Sequence, residues 1–120
     1  MTEVSFLPGY FALLDAGGDI GPMLATDFAF SLLWATDEGA DEFAGGLEAF
    51  QGYLAQRDPA GQLHHISRGL REGNTDLVTG WTTRYGIPLG TFMFAVELDN
   101  DERMRRLYAA RTEAFRGTPF

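Results

Sequence analysis

Residues 62–112, QLHHISRGLREGNTDLVTGWTTRYGIPLGTFMFAVELDNDERMRRLYAART, decide the fold. Four apolar runs, near 62–71, 74–85, 90–98 and 103–112, are separated by Glu72-Gly73-Asn74, by Gly86-Ile87-Pro88-Leu89-Gly90 and by Asp99–Glu102. These spacers have hairpin chemistry: glycine tolerates positive φ, and Asn and Asp side chains bond their own backbone. Three successive hairpins predict a four-stranded antiparallel meander. Several strands are apolar on both faces, as where Leu77 adjoins Val78 and Phe92 adjoins Met93, Phe94 and Val96. One layer of helices covers only one face, so the other is expected to be buried against a second copy in a homodimer.

Upstream, Phe6, Tyr10, Leu13 and Leu14 form a helical stripe that Gly17-Gly18 ends, predicting a first helix over about residues 3–16. Asp19 is placed to cap a short helical turn around Ile20–Ala25. Phe28, Phe30, Leu32 and Trp34 then alternate with Ala29, Ser31 and Leu33, which reads as a strand buried on both sides and joined to an edge of the meander. Thr36–Ala40 reads as an acidic loop. Phe43, Leu47, Phe50 and Leu54 recur at helical spacing, predicting a second long helix to about Arg57 that Asp58-Pro59 ends. Helices first and a meander after them predict one α+β domain over 1–120, its helices packed on one face of a strongly curved antiparallel sheet.

The composition narrows the chemistry. The 120 residues are 45% hydrophobic, enough for one core. There is no cysteine and no lysine; all nine basic residues are arginine. Thiol nucleophiles, disulfides and Cys-held metals are thereby excluded, as are Schiff bases, a pyridoxal phosphate anchor and a P-loop. Seventeen Asp and Glu give a net charge of -8, which opposes nucleic-acid binding. No run approaches the roughly 18–20 apolar residues of a membrane span, and no signal-like segment opens the chain, so a soluble, cytoplasmic protein is expected. Arg103, Arg105, Arg106, Arg111 and Arg116 are expected to pair with acids across hairpins or the dimer face. Arg84, near Trp81, is a candidate anchor for a ligand carboxylate.

Helix, short helix, strand, helix and meander, in that order, resemble the cone-shaped α+β barrel of the nuclear-transport-factor-like, or SnoaL-like, superfamily. Two segments carry the likeness: Tyr10-Phe11-Ala12-Leu13-Leu14-Asp15-Ala16-Gly17 at the exit of the first helix, and Asp27-Phe28-Ala29-Phe30 at the strand entry. The superfamily includes ketosteroid isomerases, polyketide cyclases and scytalone dehydratases, and hosts non-enzymes as well. Against a ketosteroid isomerase, Tyr10 matches the first-helix Tyr, whereas the base position falls on Leu32 and the second Asp near Phe94 or Ala95. Against scytalone dehydratase, Asp41-Glu42-Phe43-Ala44-Gly45 resembles Glu-Glu-Phe-x-Gly. Asp58-Pro59 followed by His64-His65-Ile66-Ser67 resembles Asp-Pro leading to His-Phe-Ile-Gly. That resemblance implies Asp15 and His64 as a catalytic pair. The water-orienting tyrosines fall on Leu14 and Phe30, and the second His near Pro88.

Read as residues, His64 and His65 are neighbours in a strand and point to opposite faces, so they cannot share a metal ion; no metal and no other cofactor is expected. A neutral His64 facing the interior, oriented by Asp15 at the end of the first helix, is suited to remove a proton beside a carbonyl, with Tyr10 donating to the developing charge. The alternative places His64 at the dimer face and Asp15 in solvent. Phe30, Leu32, Trp34, Phe50 and Phe94 are the expected lining of a dry pocket for a small hydrophobic ligand. Two functions follow: cofactor-independent lyase, isomerase or cyclase chemistry, or a non-catalytic ligand-binding or dimerisation module.

Overall fold

The computed structural model describes residues 5–57 and 60–113. Helix α1 spans Leu7–Asp15, and a 3-10 turn, Gly21–Met23, leads into β1, Leu24–Thr36. Strand β2, Gly39–Gly46, precedes helix α2, Leu47–Gln56. The meander is β3 (Gln62–Glu72), β4 (Thr75–Arg84), β5 (Ile87–Leu98) and β6 (Met104–Thr112). Among the described residues six strands form one curled sheet in the order β2-β1-β6-β5-β4-β3, and of its neighbouring pairs only β1 and β6 run parallel. The cone-shaped α+β architecture is therefore present, with β1 on the edge of the meander where it was expected.

The curl has local causes. Ser67 is an extra residue in β3, since Ile66 pairs with Gly80 but Arg68 pairs with Thr79. A second irregularity falls in β5, where Thr82 meets Gly90 and Thr83 meets Pro88. Bulges bend and twist the strand that carries them. Gly80 makes the first bend sterically feasible, because a Cβ there would overlap the carbonyl of His65 and crowd Phe92. Helix α1 lies against β3 and β4, and α2 against β1 and β2. Tyr10, Phe11, Phe28, Phe30, Phe50, Phe92 and Phe94 are buried between these layers in a largely aromatic core.

Four expectations are corrected. Residues 39–46 are a strand, not loop and helix: Gly45 sits at φ 150 with Ala49 against its α-carbon, a conformation no helix contains, so α2 starts at Leu47. Phe43 nevertheless keeps its inward direction, pairing with Leu32 across the ladder and meeting the Tyr53 ring at a tilt, 5.3 Å between centroids. The acidic segment shrinks to a tight turn at Asp37-Glu38. The strand β5 begins at Ile87, because Tyr85 and Gly86 both adopt positive φ (51 and 80) and close the hairpin in two residues. Strand β1 is buried on one face only, since Ser31 and Leu33 are exposed opposite Phe28, Phe30 and Leu32.

Helix α1 is described from Leu7 rather than from residue 3, and its N-terminus is capped from a distance. Asp76 of β4, fully buried, accepts hydrogen bonds from the Ser5 hydroxyl (2.9 Å) and from the backbone N–H groups of Phe6 (3.0 Å) and Leu7 (2.8 Å). A carboxylate there satisfies the orphan donors of the first turn and complements the positive end of the helix. Asp58, Pro59 and Arg116, named above, lie outside the described residues.

Candidate functional site

The C-terminus of α1 is closed by Gly17 in the left-handed region (φ 76), with Gly18 N–H donating to Leu13 O (2.9 Å) and Gly17 N–H to Leu14 O (3.1 Å). This termination turns the chain away just after Asp15 and leaves its carboxylate pointing at β3. Asp15 Oδ1 lies 2.7 Å from His64 Nδ1, and Oδ2 accepts the His64 backbone N–H at 2.8 Å. One carboxylate thus holds both the ring and the backbone of a single residue. The pair is enclosed, its side chains 4% (His64) and 9% (Asp15) exposed.

The carboxylate can only accept, so Nδ1 carries the hydrogen and Nε2 presents its lone pair. Phe11 stacks on the imidazole at 4.4 Å and Phe92 meets it edge-on at 5.4 Å. Burial lowers the proton affinity of His64 below its ordinary value, the Asp15 hydrogen bond and charge partly opposing this. The imidazole is therefore neutral at pH 7. His65, the next residue, points to the other face, where it meets Thr83 Oγ1 (2.8 Å) and stacks on Trp81 (5.1 Å). Among the described residues no group of three His, Asp or Glu side chains is arranged to hold a metal ion.

His64, Tyr10, Leu32, Phe50 and Phe94 share the wall of a small cavity of about 20 Å³. That is room for little more than one water. Tyr10 is buried, and burial raises its pKa far above the ordinary 10, so its hydroxyl remains a donor at any physiological pH. Trp34 stands apart from this group and walls an adjoining cavity of about 190 Å³, which shares Tyr53, Arg57 and Arg111 with the first. Phe30 lies 4.9 Å from Phe50 and faces a groove between β2 and α2, away from His64. Arg84 reaches Ala60 O (3.1 Å) at the rim.

Sequence reasoning missed Arg57, Gln62 and Arg111. Arg111 was grouped with Arg103, Arg105, Arg106 and Arg116 as arginines that pair with acids across hairpins or the dimer face. Its alternation with Leu107 and Ala109 was the available signal: residues 107, 109 and 111 share one face of a strand, and that face points inward. The larger concavities, two troughs of about 690 Å³ each, lie on the sheet face away from the helices and contain neither Asp15 nor His64.

No family model and no curated protein sequence matches the chain. Solved structures do. A "putative ketosteroid isomerase" from Kribbella flavida is 16% identical with a TM-score of 0.65, over 95% of this chain and 80% of that one. Wild-type IdmH from Streptomyces antibioticus, described as "a putative polyketide cyclase", is 11% identical with a TM-score of 0.67, over 88% of each chain. A "putative isomerase of the SnoaL-like family" from Agrobacterium tumefaciens is 14% identical with a TM-score of 0.59, over 88% of this chain and 92% of that one. At these identities the likeness is one of fold.

Proposed function

The chain has the nuclear-transport-factor-like, SnoaL-like fold, and from that premise we propose that it is a cofactor-independent acid–base enzyme acting on a small, mainly apolar carbonyl compound. The observation that carries this reading is the enclosed Asp15–His64 contact of 2.7 Å. In the proposed reaction Nε2 of His64 takes a proton from the carbon beside the carbonyl. The electron pair moves into an enolate, Tyr10 donates to its oxygen, and Asp15 stabilises the imidazolium formed. Return of the proton at another carbon gives isomerisation, loss of a β-hydroxyl gives dehydration, and attack of the enolate carbon on a second carbonyl gives cyclisation. Leu32, Phe50 and Phe94 exclude water from the reacting atoms. The fold's neighbours described as cyclases and isomerases support this class of chemistry without fixing the substrate.

A panel of apolar ketones in D2O tests the reading by loss of the α-proton signal in NMR. The wild type should accelerate exchange of at least one member, and His64→Gln should reduce that rate by about 10²–10⁴-fold. Exchange no faster with the wild type than with the variant across the panel overturns it.

One observation favours a second reading, a ligand-binding module without chemistry: the space beside His64 is only about 20 Å³. In that case a ligand occupies the larger adjoining cavity and the Asp15–His64 contact serves to fasten α1 to β3. Ligand binding without proton exchange distinguishes the two. The same proposal includes a homodimer formed through the sheet face away from the helices, where Leu33, Leu77, Met93 and Tyr108 are exposed.

A further inference from the structure

The cavity of about 190 Å³ next to the His64 chamber is walled by Trp34, Arg57, Gln62, Arg84, Arg111 and Glu113. Three residues of that wall each carry a buried side-chain atom with no hydrogen-bond partner among the described residues: Trp34 Nε1, Gln62 Nε2 and Arg111 Nε. All three are donors. Gln62 is 3% exposed and Arg111 8%. Leaving such groups buried and unpaired is costly, most of all for a charged one, so three among the residues of one wall are not incidental packing.

Their orientation is fixed by their neighbours. Gln62 Oε1 accepts from Arg57 Nη2 at 3.2 Å, and flipping the amide would set donor against donor, so its NH2 must face elsewhere. Arg111 lies over the Trp34 ring at 5.4 Å and spends Nη2 on Glu113 Oε1 at 3.1 Å, leaving the Nε edge of its fork. Burial and the nearby Arg111 charge lower the proton affinity of Arg57, as expected where positive charge is crowded. Among the described residues, Glu113 is the only acid in the wall, against three arginines.

We propose that this cavity holds the carboxylate of an acidic, otherwise apolar small molecule, with Arg111, Trp34 and Gln62 as its donors and Arg57 as a second positive charge. A carboxylate is acceptor-only with about four lone-pair sites, the complement of a wall whose unpaired groups are all donors. A neutral hydroxyl or water would bring hydrogens of its own. Arg57 and Arg111 also wall the His64 chamber, so the apolar body of a molecule anchored there extends toward Nε2. The volume lies below the roughly 300–1,000 Å³ of drug-sized ligand sites, which selects a body about one ring in size. This inference rests on reading the cone as a ligand pocket; it deepens the proposed function by specifying the substrate as an acid, and moves the expected anchor from Arg84 to Arg111.

Calorimetric titration of the full chain in low-chloride buffer, with phenylacetate and its neutral isostere phenylacetamide, tests it. The wild type should bind the acid at least about tenfold more tightly than the amide. Arg111→Met should remove that preference, lowering acid affinity by at least about tenfold more than amide affinity. Trp34→Phe, which keeps the ring under Arg111 and deletes one N–H, should weaken the acid by about threefold to tenfold, and carries the test if the arginine variant melts early. Equal affinity for acid and amide, acid binding unaffected by Trp34→Phe or by a folded Arg111→Met, or no acid binding at all overturns the proposal. Selective acid binding by a protein that exchanges no α-protons refutes the general base alone. Exchange with no preference for the acid refutes the anchor alone.

Discussion

At the scale of single residues, Asp15 and His64 show how one side chain can be fixed in place, tautomer and charge by another. Because Asp15 raises the proton affinity that burial lowers, Asp15→Asn should move the His64 pKa further below its ordinary value near 6.5. Imidazole NMR titration of the two proteins measures this, and an unchanged or higher value in the variant refutes the coupling. Stability follows with a definite sign. The unfolded chain takes up the proton first as pH falls, so the contribution of neutral His64 is complete above about 6.5 and is lost as pH drops through the lowered folded value. The contact between the two is present, and the pair itself was legible through the resemblance to scytalone dehydratase, which implied Asp15 and His64 together. That His64 rather than His65 faces inward was not, because strand alternation fixes only that the two oppose each other, and the choice depends on the bulge at Ser67. Arg111 was hidden by its charge: guanidinium groups are usually at the surface, and burial here depends on the Trp34 face and on Glu113.

At the scale of elements, α1 is held at both ends by residues of the sheet, Asp76 at its start and His64 at its end. Its nine residues are too few to be stable alone, so these attachments and the burial of Leu7, Tyr10 and Phe11 supply the helix's stability. Asp76→Ala leaves two backbone donors and the Ser5 hydroxyl without their acceptor and should cost about 3 kcal/mol. A thermal melt should show a drop on the order of 10 °C, with Asp76→Asn intermediate; a melt within a degree or two of wild type rules out the cap. Periodicity revealed the helix but not the cap, which comes from about seventy residues away. The strand β2 was unreadable for a different reason. Phe43, Leu47, Phe50 and Leu54 do share one side, but the side is made of a strand and a helix joined at Gly45-Gly46, and a helical period runs through both.

At the scale of the whole molecule, the two faces of the sheet have separate tasks. The inner face carries the core and the chamber, and the outer presents Leu33, Leu77, Met93 and Tyr108, with Met93 63% and Tyr108 58% exposed. Light scattering at micromolar concentration should give twice the chain mass, and Met93→Glu with Tyr108→Glu should return one chain mass without altering the melt of the core. A wild type that is monomeric, or a charged variant that remains dimeric, excludes this interface. The meander and the apolar outer face were readable in residues 62–112, because both depend on local turns and strand alternation, whereas the bulges that curl the sheet leave no mark in that alternation. The chamber was readable only in part, since its volume is what remains after distant side chains have packed.

The single parallel pairing, β1 with β6, has a consequence for how the chain is made. Synthesis delivers Phe28, Phe30 and Leu32 early, yet the strand that flanks β1 toward the meander is β6, the last among the described residues, ending at Thr112. Until then the first third of the chain has its hairpin partner β2 and α2 but no continuous sheet. A nascent chain interrupted before Met104 would therefore keep that aromatic strand edge open, where chaperones bind and aggregation begins.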